Sequence, residues 1–120
     1  MASARSLVGR ADAIYLPTDN TVISALEAVL QVGEQADLPV LSGDTDSVRR
    51  GTIAALGFDY YDVGRQTGRM VARVLQGEAP GGIAVESVAK LDLFVNPAAA
   101  NRMGITLTSG LLRRARQVVR

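Results

Sequence analysis

The sequence predicts an α/β fold, a mostly parallel sheet flanked by helices. Three observations carry that expectation. Apolar runs at residues 11–16, 38–41 and 91–95 have the length of short buried strands. Between them lie longer stretches with apolar residues at helical spacing. The two kinds alternate along the chain, as they do where crossover helices join parallel strands.

Residues 11–16, ADAIYL, make the first strand, with Asp12 at its start. Asp19, Asn20 and Thr21 follow, all good helix N-caps. Val22, Leu26, Val29 and Leu30 then mark one helical face, Glu27, Gln31 and Glu34 the other, and Gly33 weakens the helix end. Residues 38–41, LPVL, are a second strand, and SGDTDS at 42–47 is a polar turn cluster. Residues 52–56 suit either a third strand or a short helical turn, with Gly57 as punctuation. A helix is expected over 62–75 through Val63, Met70, Val71, Val74 and Leu75, with Gly77 as its stop and EAPGG as a loop. Residues 83–88 alternate and residues 91–95 are apolar, so both read as strands. Asn96 as cap, Pro97 at the first helical position and Gly104 beyond the end frame another helix. ITLT at 105–108 reads as a last short strand. In the tail, Leu111, Leu112, Ala115, Val118 and Val119 share one face of an expected helix.

The 120 residues suffice for one core, and 48% hydrophobic residues is a globular composition. A net charge of +1 argues against a nucleic-acid binder held by phosphate contacts. The cations are nearly all Arg, Lys90 being the one lysine, which reads as coding bias rather than a binding device. No Cys and no His are present, which removes disulfides, thiolate or imidazole metal sites and the commonest general base. No cofactor and no metal site are expected. No apolar run approaches the length that crosses a bilayer, and the first ten residues lack the apolar core of a signal peptide.

In sheets of this kind ligands bind outside the carboxyl ends of the strands. PTDN and SGDTDS lie at such ends, and GFDYYD joins them if residues 52–56 are a strand. Thr18, Asp19 and Asn20 offer an ammonium acceptor and polar contacts, although a turn and helix cap use the same residues without a ligand. Ser42 and Gly43 allow close backbone approach and Asp44 adds charge, whereas Asp46 reads as surface turn. Asp59 and Tyr60 lie beside Phe58 and Tyr61, which makes three of the chain's five aromatic residues in one stretch. An aromatic wall suits an aromatic or aliphatic solute, and a hydrophobic staple is the plain alternative. One Tyr is expected in the core, with Tyr60 reaching the cleft. Gly64 and Gly68, one turn apart, read as a close-packing stripe. Arg113, Arg114, Arg116 and Arg120 read as a solvated helix face.

Four separated stretches resemble one family in order and spacing: DAIYLPTDNTVISALEAV, LPVLSGDTDSVRRGTIAALGFDYYDVGRQTG, LFVNPAAANRMGI and LLRRARQVV. Together, from about Gly9 onward, they resemble the solute-binding proteins of ABC uptake transporters associated with tryptophan or tyrosine. The resemblance implies a type I periplasmic-binding-protein fold, in which two α/β lobes close about a hinge on a solute. It implies that this chain corresponds to the C-terminal portion, less than half of a complete member, in one α/β domain. Residues 91–104 would then cross back toward the first lobe. A complete member works outside the cytoplasm, in the periplasm or at the cell surface, and delivers its solute to an ABC permease. The implied ligand is an amino acid, with an aromatic one favoured, and the implied activity is not enzymatic. A fragment of a two-lobed protein is also expected to form a homo-oligomer, with residues 111–119 as a contact.

Other readings remain open. One is the effector-sensing domain of a transcription regulator, which shares this fold. Another is a carboxylate enzyme using Asp19 and Asp44 with a metal. A flavodoxin-like receiver module would need an acidic cluster at the first strand end and a late lysine, for which only Lys90 is available.

Overall fold

The computed structural model describes residues 2–119. Their contacts group into two compact units, one built from the chain up to Gly57 and from Asp92 onward, the other spanning Phe58–Leu91.

The first unit is a five-stranded sheet whose strands follow in chain order. After helix α1 (Ala2–Arg5) come β1 (Ile14–Leu16), α2 (Asn20–Ser24), α3 (Leu26–Gln35), β2 (Val40–Ser42), α4 (Asp46–Arg50) and β3 (Ala54–Gly57). Strands β1, β2 and β3 are parallel, so their carboxyl ends share one edge. Residues 52–56 thus resolve as strand, two residues later than the sequence placed it. Strand β4 (Asp92–Val95) runs antiparallel to β3, with Gly57 opposite Asp92. The chain therefore leaves this unit and re-enters it at adjacent points on the carboxyl edge. Helices α6 (Pro97–Arg102) and α7 (Ser109–Arg114) lead to β5 (Gln117–Val118), parallel to β4.

The core joins the inward residues of these elements. Leu26, Leu30, Val40, Ile53, Val95, Ala100 and Met103 form it together with Ile14 and Leu16. Gly33 is part of this packing rather than a weak helix end. A Cβ there would lie 2.7 Å from Val40 Cγ2 and 2.8 Å from the Leu38 carbonyl oxygen. Asn96 locks α6 twice: its Oδ1 accepts the Ala99 amide at 2.9 Å and its Nδ2 donates to the Val48 carbonyl at 3.0 Å. Gly104 has φ +72°, the left-handed conformation expected of a residue beyond a helix end.

Several expectations are corrected here. The first helix is two, broken at Ala25, whose amide bonds back to Val22. Residues 105–108 form no strand. The tail helix ends at Arg114, where Ala115 turns extended, because the following residues find a ladder partner in β4. Leu111, Leu112 and Ala115 pack against the core. Arg116 is no solvated helix residue, since its guanidinium meets the buried Asp92 carboxylate at 2.6 Å. Arg120 lies outside the described residues.

The second unit holds α5 (Tyr60–Leu75), a 3-10 turn (Pro80–Gly82) and a loop. Asp59 caps α5 by accepting the Tyr61 amide at 2.8 Å. Gly77, with φ +100°, follows the helix end. Residues 83–88 form no strand; Gln66 holds the end of that loop, donating to Glu86 and to the Ser87 carbonyl and accepting from the Ala89 amide. No residue of this unit is buried. Gly64 and Gly68 have no atom within 4 Å of an added Cβ, so they form no packing stripe here.

Candidate functional site

The carboxyl edge of β1 and β2 is where the predicted site residues of the first unit gather. Beyond Leu16, Pro17 turns the chain and Asp19 caps α2, its Oδ1 accepting the Val22 amide at 3.0 Å. The other carboxylate oxygen has no hydrogen-bond partner among the described residues, and Thr18, Asp19 and Asn20 are all exposed. This motif is both cap and open acceptor, because a cap occupies only one oxygen.

Beyond β2 the geometry differs. Ser42 is only 2% exposed. Its hydroxyl donates to the Asp44 carbonyl at 3.0 Å and bonds the Thr52 hydroxyl at 2.8 Å. One proton cannot serve both, so Thr52 donates in the second bond. Asp44 accepts from the backbone amides of Asp46 at 2.9 Å and Ser47 at 3.3 Å, and from the Ser47 hydroxyl. Both Asp44 oxygens are thus engaged in organising the turn into α4. Ser42 and Asp44 hold the shape of this loop through their own hydrogen bonds.

Two residues missed in the sequence complete this edge. A Cβ on Gly57 would stand 2.9 Å from the Gly43 carbonyl oxygen, so the turns after β2 and β3 approach closely. Tyr15, between buried Ile14 and Leu16, is 66% exposed and its hydroxyl lies over Gly43. The available signal was its place between Ile14 and Leu16 in a strand, whose alternation turns it to the opposite face. A groove of about 370 Å³ adjoins this edge, lined by Leu7, Tyr15, Leu16, Pro17, Thr21 and Val22, among others.

Asp59 and Tyr60 belong to the second unit. Tyr60 is 62% exposed and Tyr61 71%, so neither is the core tyrosine that was expected. Phe58 and Tyr60 meet edge to face, with centroids 5.1 Å apart and an interplanar angle of 81°. A second concavity of about 380 Å³ lies in this unit, lined by Asp62, Arg65, Gln66, Arg69 and Lys90 with Val88 and Ala89. Among the described residues no group of three or more Asp or Glu is placed to hold a metal ion, and no helix is long and apolar enough to cross a membrane.

The family model for ABC transporter substrate binding proteins matches residues 1–119. This chain belongs to that family. Its members are substrate-binding proteins, not enzymes. A tyrosine-binding protein of Clostridioides difficile is 33% identical over 91 residues, covering 76% of this chain and 26% of the relative. Among solved structures, a conserved domain protein from Vibrio cholerae superposes with a TM-score of 0.86 at 40% identity, over 98% of this chain and 40% of that one. An ABC domain in complex with L-Trp from Streptococcus pneumoniae superposes with a TM-score of 0.85 at 29% identity, over the same shares. The chain thus spans about a quarter of that curated relative and two fifths of these structures. The α/β fold with a mostly parallel sheet agrees with them.

Proposed function

We propose that this chain is the solute-capturing portion of an ABC uptake system and that its solute is an amino acid with an aromatic side chain. The observation that supports this most is the edge shared by β1 and β2. It brings Thr18 beside Gly43 and, one residue on, leaves one Asp19 oxygen unbonded and exposed. That oxygen suits a ligand ammonium. The names of two relatives, one binding tyrosine and one holding L-Trp, favour an aromatic side chain. Asp59 and Tyr60 are proposed as further contacts on the strength of their sequence alone. Ser42 and Asp44 hold the turn that places Gly43.

In the same reading the chain crosses between lobes where it leaves Gly57 and re-enters at Asp92, adjacent points that suit a hinge. An ABC permease is the proposed partner, and the periplasm or cell surface the proposed location. Self-association is proposed through apolar surface such as Tyr61, Val71, Leu75 and Leu91, all exposed.

Equilibrium dialysis against L-tryptophan and L-tyrosine tests the function. Asp19→Asn keeps a capping side chain but loses the charge. An exposed charge pair is worth about 0.5–1 kcal/mol, so binding should weaken by about two- to fivefold. Equal binding by wild type and Asp19→Asn would remove Asp19 from the site.

A further inference from the structure

Two unpartnered hydroxyls close over Gly43. A Cβ there would lie 2.7 Å from the Tyr15 hydroxyl oxygen, 3.6 Å from Tyr15 Cζ and 3.2 Å from Thr18 Oγ1. Neither hydroxyl has a hydrogen-bond partner among the described residues, while the neighbouring Ser42, Thr52 and Ser47 hydroxyls are all engaged. Gly43 is not held in a left-handed conformation, so the backbone does not require glycine. What favours it is the Tyr15 side chain, whose hydroxyl end lies across Gly43.

We infer that Tyr15 is the specificity-determining aromatic residue of the strand-end site and that Gly43 is there to seat it. The inference rests on the solute-binding reading above and deepens it. Tyr15 presents a ring on the edge that carries the open Asp19 oxygen. An aromatic solute with its ammonium at Asp19 would lay its side chain against that ring, and rings so paired prefer offset or edge-to-face contact. The Tyr15 and Thr18 hydroxyls, both without a hydrogen-bond partner among the described residues, then take a polar group of the solute beside Gly43. Gly43→Ala would place a methyl carbon 2.7 Å from the Tyr15 hydroxyl oxygen and displace that end of the ring.

The test is a ligand-observed NMR titration that follows broadening of the indole resonances of L-tryptophan, with the whole chain and with Tyr15→Ala, Tyr15→Phe, Gly43→Ala and the double variant Tyr15→Ala/Gly43→Ala. Tyr15 is exposed, so its replacement leaves the core intact. Tyr15→Ala should weaken binding about tenfold. Tyr15→Phe keeps the ring and should retain most of the affinity. Gly43→Ala should weaken it by less, since it shifts the ring rather than removing it, and the double variant should be no worse than Tyr15→Ala, because both changes act on one ring contact. Wild-type binding with Tyr15→Ala within about twofold of it would overturn the assignment and leave solute binding standing. No saturable broadening with the wild type would reject the solute-binding reading and this assignment with it.

Discussion

At Asp19 the sequence left two roles open, and the coordinates give each an oxygen. One accepts the Val22 amide and the other has no partner among the described residues. Asp19→Ala should therefore destabilise the chain by about 1 kcal/mol through the lost cap. Asp19→Asn should not, and urea unfolding of the two variants separates cap from charge. Gly33 makes a sharper case. An alanine Cβ would meet the Leu38 carbonyl at 2.8 Å, and backbone cannot step aside as a side chain can. Gly33→Ala should cost roughly 1–3 kcal/mol by overpacking, seen as a lower urea midpoint. A midpoint unchanged from wild type would mean that α3 and β2 slide apart freely. Such contacts are illegible in the sequence because they depend on which strand a helix meets. Ser42 shows the same limit: SGDTDS reads as a polar surface turn, yet Thr52, ten residues away, closes over its hydroxyl.

Among the elements, those with their own start and stop chemistry were readable. Asn96, Pro97 and Gly104 framed α6 and Asp19 capped α2, whereas the Asp59 cap went unread because the helix it starts was expected from residue 62. Elements that need a partner were not. Residues 83–88 alternate like a strand, but Val85 is 100% exposed and no ladder receives them. Gln117–Val118 reads as helix, but β4 offers it a ladder. Gln66 is what holds the 86–89 loop to α5. Gln66→Ala should raise the hydrogen-exchange rate of the Ala89 amide relative to the α5 interior, and an unaltered rate would show that the loop is held by something else. At the end of α5, the hydrogen bond from Arg73 holds the Glu78 carboxyl below its ordinary value of 4.5, and Glu78 in turn raises the Arg73 guanidinium. A carboxyl lowered by folding stabilises above its unfolded value, and that contribution is lost as pH falls through the folded one. Carbon-13 titration of the Glu78 side chain should give a midpoint below 4.5 that returns toward it in Arg73→Ala and at high salt.

For the molecule as a whole, the α/β class and the strand edge followed from alternating runs, and the family resemblance placed them in a solute-binding protein. The division of contacts at Gly57 and Asp92 did not. It could not be seen locally, because it follows from which residues bury one another. The central proposal is that the edge of β1 and β2 is one face of a site that relatives complete with a longer chain. A two-lobed binder of micromolar affinity has about −8 kcal/mol, and an even share leaves about −4 kcal/mol, or roughly millimolar affinity. The cost of immobilising the ligand weakens it further. The most direct measurement is a nitrogen-15 amide-shift titration of the whole chain with L-tryptophan. The predicted result is saturable shifts at Thr18, Asp19, Asn20 and Gly43 with a dissociation constant of about a millimolar or weaker. Saturable shifts confined to other residues, or none at all, would contradict the site, and a micromolar constant would contradict its being only part of a pocket.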